Sequence, residues 1–515
     1  MANNQLFASI RGRFVPEATA VNEAGGAAYV RDAKSALALY AATGCLNGVF
    51  YADAEMQLGQ VLAMCEAVPA EFVAKTAIYA RQRAFMKDMP ALLLACLAQR
   101  DGETMPRVFE RVIDNGRMLR TFVQILRSGT VGRKSLGTRP KRVVQHWFER
   151  SSVQALLSAS VGRDPSLADV IKMVHPKPTN AERAALYAWL IGKAYQAEAL
   201  PSVVREFEAF KLSASEPVPD LPFQFLTALP LTDEHWKAIA RRASWQTLRM
   251  NLNTFARHGV FADACLVGWA AARLRDPDEI RRARVFPYQL MAAYSAALEG
   301  MPQAILDALQ DAMELATANV PKVAGRVVVA VDVSGSMNSA ISGRRKGATS
   351  KVRCVDVAAL LAACVKRVNP ETRILPFAEN VKSLRLNSRD SVRTQAQQMS
   401  AMCGGGTCVS APLAVLNSER APVDLLVIVS DNQSWVDTRA SGGTETMRQW
   451  AQIRSRNPAA RMVCIDLQPY ATSQMVESLD VSHVGGFSDA VFDLLSSAEA
   501  NRAASWVERI EAIAL

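Results

Sequence analysis

The hydrophobic period of this sequence changes near Pro321, and that change limits the folds it can adopt. Upstream, from about residue 20 to 320, apolar residues recur at helical spacing over 34–42, 54–68, 70–85, 89–99, 104–125, 141–158, 167–174, 180–195 and 302–318. The breaks between these stretches are short and contain Gly, Pro or Asp. Many helices of modest length joined by short loops predict a helical-repeat solenoid whose repeats have no single clean period. Downstream, apolar runs at 327–333, 373–377, 423–430 and 461–467 have the length and chemistry of buried parallel strands. Helical patterns intervene or follow at 351–367, 391–402, 411–416, 445–455 and 489–498. Strands alternating with helices predict a doubly wound α/β sheet. The expected fold class is therefore α plus α/β, with one domain over 1–325 and a second over 326–515.

Composition narrows the function classes. The 515 residues suit about three average domains or two large ones. Half are hydrophobic and 21% are charged, which excludes a largely disordered chain. The longest apolar runs, such as 91–98 and 358–365, fall far short of the ~18 residues of a spanning helix. Asn3, Asn4, Arg11 and Arg13 make the first 14 residues a poor signal peptide, so a cytoplasmic protein with no membrane partner is expected. Nine cysteines, most of them scattered singly in apolar surroundings and with no C-x-x-C, suggest reduced core thiols. The five histidines form no cluster with zinc-ligand spacing. The net charge of +10 permits a polyanionic partner without requiring one. Seven of those ten charges fall within residues 1–325.

Three loops in the second half carry oxygen chemistry. The strand at 327–331 runs into Asp332-Val333-Ser334-Gly335-Ser336, one carboxylate and two hydroxyls on a tight loop. Gly404-Gly405-Gly406-Thr407 adds a hydroxyl on a glycine turn, and Ser430-Asp431-Asn432 adds a carboxylate directly after a strand. Hard oxygens of this kind suit Mg²⁺, with Mn²⁺ as the alternative. Ligands in such sheets sit beyond the carboxyl ends of the strands, where these loops fall. The set resembles the von Willebrand factor A domain and its metal-ion-dependent adhesion site. That resemblance implies Asp332, Ser334, Ser336, Thr407 and Asp431 as ligands, directly or through water, with one open position commonly filled by a partner's carboxylate. The same loops lack a G-x-S-x-G elbow and a G-K-[ST], so hydrolase and nucleotidase chemistry is not expected and no catalytic residue is assigned.

The densest basic segment holds Arg133, Lys134, Arg139, Lys141 and Arg142, and continues through His146, Trp147 and Arg150. Cations on a loop that enters a helix, with an aromatic nearby, form an edge suited to phosphate contacts. Further on, Ser166 and Asp169 form a capping-box pattern ahead of an apolar helix that carries Lys172 and ends at His175-Pro176-Lys177-Pro178. The two prolines hold the exit stiff and project His175 and Lys177 from it.

Here the sequence resembles the Ro autoantigen family in its bacterial form. The His-Pro-Lys-Pro stretch is similar to the family's His-x-Lys-Pro signature, and the basic glycine-rich stretch before His146-Trp147-Phe148 to its Gly/Arg/Lys loop. Arg284 to Tyr288 resembles its late His-Pro-Phe segment, and 321–338 its passage into the terminal A domain. The resemblance implies a HEAT-like helical ring, the TROVE module, followed by a von Willebrand A domain. It also implies RNA binding without catalysis: Y-type small RNA on the ring exterior, and single-stranded 3′ ends of misfolded or precursor RNA in the hole. Roles in RNA quality control, ribosomal RNA maturation or stress response follow, in a monomer, with the exoribonuclease polynucleotide phosphorylase as a possible partner. By motif, His175 and Lys177 carry over singly, and Arg133, Lys134, Arg139, Lys141 and Arg142 as a patch, joined by Arg163 and Lys172. One departure stands out: 158–163 keeps a single basic residue, Arg163, where the family often has several. A competing expectation is a protein-interaction scaffold whose metal site captures an acidic partner residue.

Overall fold

The computed structural model describes residues 15–44, 46–213, 217–283, 285–320, 322–344, 351–436, 442–486, 491 and 505–515. Helices follow one another from Ala33–Thr43 to Gln303–Ala316. Many begin on a side chain that relieves unpaired backbone donors: Asp32, Asp53, Asn115, Ser152, Ser166 and Asn180 each accept from an N–H of the first turn. Such caps contribute about 1 kcal/mol each. Two of them correct the sequence reading. The single helix expected over 104–125 is two, Met105–Val112 and Gly116–Ser128, because Asn115 starts a new one. That over 141–158 is also two, Thr138–Arg150 and Val153–Ser160, divided at Ser152.

The sheet follows from the apolar runs. Strands β3 (Val327–Asp332), β4 (Arg373–Phe377), β5 (Leu425–Ser430), β6 (Arg461–Asp466) and β8 (Val481–Gly485) form one parallel sheet in the order β4-β3-β5-β6-β8. β3 and β5 are buried along their whole length, as central parallel strands require. The order reverses between β3 and β5, which opens a crevice beyond their carboxyl ends. The expected helix at 489–498 lies outside the described residues, Val491 apart.

The described residues also begin with strands, which the sequence reading of helix from about residue 20 does not contain. β1 (Ala20–Val21) and β2 (Ala27–Val30) form a hairpin, and β2 pairs with β7 (Thr472–Ser473) from the far half of the chain. The helical array closes on itself. Phe85, just past an early helix, lies 5.7 Å from Phe286 at the entry to a late one. The A-type domain touches both ends: Trp506 packs on Tyr79, and Arg367 pairs with Glu314 at 3.1 Å. The result is a helical ring closed in part by the α/β domain. Of the described cysteines, all eight are free; most are buried, but Cys265 is exposed, against the expectation of core thiols. No helix among the described residues is long and apolar enough to cross a membrane.

Candidate functional site

The first candidate site is the crevice beyond β3 and β5. Backbone contacts clamp the first two loops together: Gly404 N–H donates to Val333 at 2.8 Å, and Gly335 N–H to Gly405 at 2.9 Å. Gly404 (φ 142°) and Gly405 (φ 94°) take backbone conformations that a side chain disfavours. Asp332 Oδ1 accepts from Ser334 N–H at 2.8 Å and Oδ2 from the Ser430 hydroxyl at 2.5 Å. The Ser334 and Ser336 hydroxyls are 3.3 Å apart. Asp431 Oδ1 accepts from Gln433 N–H at 3.3 Å, whereas its Oδ2 is buried and has no hydrogen-bond partner.

Two carboxylates so placed are costly. Burial raises Asp332 above the ordinary carboxyl range, against hydrogen bonds from Ser334 and Ser430. Burial, and then the charge of Asp332, push Asp431 up to about 7. A cation between them would offset both causes and satisfy the orphaned oxygen. Among the described residues no group of three or more His, Cys, Asp or Glu is placed to hold a metal. The set here fits a hard cation through its hydroxyls, with two carboxylates supplying charge.

The second candidate site is a basic edge on the helix Thr138–Arg150. Gln145 Nε2 on this helix donates to the Val174 carbonyl at 2.6 Å, which ties it to the exit of the helix Leu167–Val174. That contact ties the helix exit at His175 to the helix that also carries Lys141 and Arg142. His175 ends its helix in the left-handed conformation, and its side chain and that of Lys177 are exposed on either side of buried Pro176. The capping box of Ser166 and Asp169 is present as the spacing predicts. Lys172 and Arg163 are exposed, the latter on a loop whose carbonyls Arg120 holds.

The rest of the basic patch divides. Arg133 Nη1 donates to the Ala98 carbonyl at 3.2 Å and so braces its loop, while Lys134 is exposed. Arg139 is paired with Glu103. Lys141 and Arg142 form no ion pair among the described residues, and Arg142 lines a cavity of about 330 Å³ with His146 and Arg150. In that cavity Glu110 lies 3.6 Å from both His146 and Arg150.

Residues 326–497 match the family model described as the Ro60 vWA domain. The whole chain is 26% identical to a protein of Deinococcus radiodurans named RNA-binding protein RO60, over 92% of this chain and 94% of the relative. The similarity to that protein runs over nearly the whole length of both chains. A Caenorhabditis elegans protein of the same name is 25% identical over 32% of this chain and 26% of its own. Among solved structures, the Deinococcus radiodurans RO (RSR) protein superposes with a TM-score of 0.61 at 22% identity, covering 91% of this chain and 99% of that one. The fold is shared, a helical ring followed by an A domain.

The chain has site residues that the sequence reading missed. Tyr51, from the helical part, lies close to Ser336 of the first loop and to Asp431. Arg31 forms a buried ion pair with Asp466 at 2.8 Å, and Asp466 also accepts from the side-chain amide of Asn432 beside Asp431. The only sequence signal was Gly25-Gly26, a turn in a stretch read as the start of the helices.

Proposed function

We propose that this Ro-like chain is a non-catalytic RNA-binding protein. Its ring exterior binds a Y-type small RNA, and its hole takes single-stranded 3′ ends of misfolded or precursor RNA. The observation that carries this reading is similarity to RNA-binding proteins across both parts of the chain. The basic edge supports it, because the helix that carries Lys141 and Arg142 is tied through Gln145 to the exit that carries His175 and Lys177. The work would lie in RNA quality control or ribosomal RNA maturation in the cytoplasm, by a monomer that can pass RNA to an exoribonuclease such as polynucleotide phosphorylase. In the A domain, Asp332, Ser334, Ser336, Thr407 and Asp431 would hold Mg²⁺, on the strength of the orphaned Asp431 oxygen. The cation would supply positive charge that locks the three loops.

The test is RNA affinity against salt. Phosphate contacts release counterions, so log K falls linearly with log salt, by about 0.7–0.9 per contact. Replacing Lys141 and Arg142 with Glu should weaken binding of a small structured RNA at least tenfold and flatten the salt slope by about 1.4–1.8. Arg139→Glu should matter less, since Glu103 already engages that guanidinium. Unchanged affinity and slope in the Lys141/Arg142 variant would remove this edge from the RNA surface.

A further inference from the structure

The Asp332 cluster is covered by the chain itself. Its five oxygen-bearing residues are at most 6% exposed. A turn at 22–26 folds onto the third loop. Asn22 Nδ2 donates to the Ser434 carbonyl at 2.7 Å, and the Glu23 N–H donates to Gln433 Oε1 at 3.1 Å. Asn22 Oδ1 closes the turn by accepting from the Gly26 N–H at 2.7 Å. Gly26 sits so close that a Cβ there would fall 1.9 Å from the Ser434 carbonyl oxygen. From the other side Tyr51 lies close to Ser336 and Asp431.

We propose that the 22–26 turn and Tyr51 form an intramolecular cap whose seating is coupled to cation binding at Asp332 and Asp431, so that the chain itself seals the site against a partner's carboxylate. The inference rests on the cation reading given above. Two short paths carry the coupling. Gln433 donates its N–H to Asp431 at 3.3 Å while its side-chain oxygen holds Glu23. Ser336 neighbours both Asp431 and Tyr51. A cation that draws Asp431 and Ser336 inward fixes both groups that the cap grips. Coupling between two binding events is reciprocal: by the factor that the cap tightens the cation, the cation tightens the cap. Strand β2 holds the base of the turn in place through its pairing with β7, so the turn can lift without the hairpin leaving.

The experiment uses the full chain with Mn²⁺ as probe, read by electron paramagnetic resonance, and hydrogen exchange at the amides of Glu23 and Gly26. Wild type should bind Mn²⁺, and Asp332→Ala should abolish that binding. Mn²⁺ should slow exchange at the two amides by about three- to tenfold, and Tyr51→Phe should weaken Mn²⁺ binding by a similar factor. Gly26→Ala should weaken it too, and should let added acetate alter the Mn²⁺ signal, which acetate leaves unchanged in wild type. Asp332-dependent binding with unaltered exchange, and with Tyr51→Phe within twofold of wild type, would overturn the cap and leave the cation reading standing. Failure of wild type to bind Mn²⁺ would overturn both. Tyr51→Phe removes one hydroxyl from the surface of a half-buried ring, so the comparison survives even if Gly26→Ala does not fold.

Discussion

His175 occupies a position where most chains place glycine. It follows the helix Leu167–Val174 at φ 50° and ψ 62°, and its N–H bonds back to the Ile171 carbonyl. A side chain in this left-handed region costs roughly 1 kcal/mol relative to Gly. The imidazole is exposed, and burial in the protein core does not repay that cost. If the ring serves as an RNA contact, stability and affinity should respond in opposite directions. His175→Gly is expected to hold or raise the melting temperature, by up to about 1 kcal/mol of stability, and to weaken RNA binding severalfold. Circular dichroism melts and a gel shift on the same preparation check both. A variant more stable and equally tight would assign the histidine to the helix end alone.

Elements are joined in the A domain by charge at their starts as well as by apolar strands. Asp424, ahead of β5, accepts from Arg326 Nε at 2.9 Å, from the Arg326 N–H at 2.7 Å and from Asn457 Nδ2 at 2.9 Å. Chiefly through the Arg326 hydrogen bond, its carboxyl is held down at about 2. A carboxyl lowered in the folded state adds stability above its unfolded value, near 3.9, and loses it as pH falls through about 2. Both partners are substantially exposed, so solvent screening limits the contribution to about 1 kcal/mol. Asp424→Asn should therefore lower the melting temperature at pH 7, with the gap to wild type closing between pH 4 and pH 2. An equal gap at every pH would show that the hydrogen bonds matter and the charge does not. β5 was legible in the sequence, though read from 423 and not from Leu425, as were β3, β4 and β6, because buried parallel strands write themselves as apolar runs. The loops that follow β3 and β5 were legible for the same reason. β8, with Ser482 and His483 inside it, lacks such a run. β1 and β2 span two and four residues, and β2 finds its partner at Thr472–Ser473, some 440 residues away. No local pattern encodes that pairing, so the cap that it carries toward Asp431 was invisible too.

At the scale of the whole molecule, ring and A domain are one interlocked body, because each end of the chain crosses to the other part. The hairpin β1–β2 crosses from the helical end to pair with β7 of the A domain. In the opposite direction, the helix Trp506–Glu511 leaves the A domain and packs on the first helices of the ring. Trp506 is the wedge. Its ring lies edge-on to Tyr79 at 5.9 Å and is 3% exposed, and a Cβ on Gly485 of β8 would fall 2.9 Å from it. Around it, Lys75 Nζ donates to the Glu511 carbonyl at 2.7 Å, and Lys34 pairs with Glu511. The exposed ion pair contributes little, whereas loss of a buried tryptophan ring costs about 3–5 kcal/mol in transfer and cavity terms. That cost falls on the seam between the two parts and spares the interior of each. Trp506→Ala should therefore uncouple them: a single thermal transition should divide in two, the earlier one at least several degrees below wild type. Calorimetry on the full chain reads this directly. A single transition merely shifted downward would mean that the hairpin β1–β2 and the Arg367–Glu314 contact suffice to keep ring and A domain unfolding together.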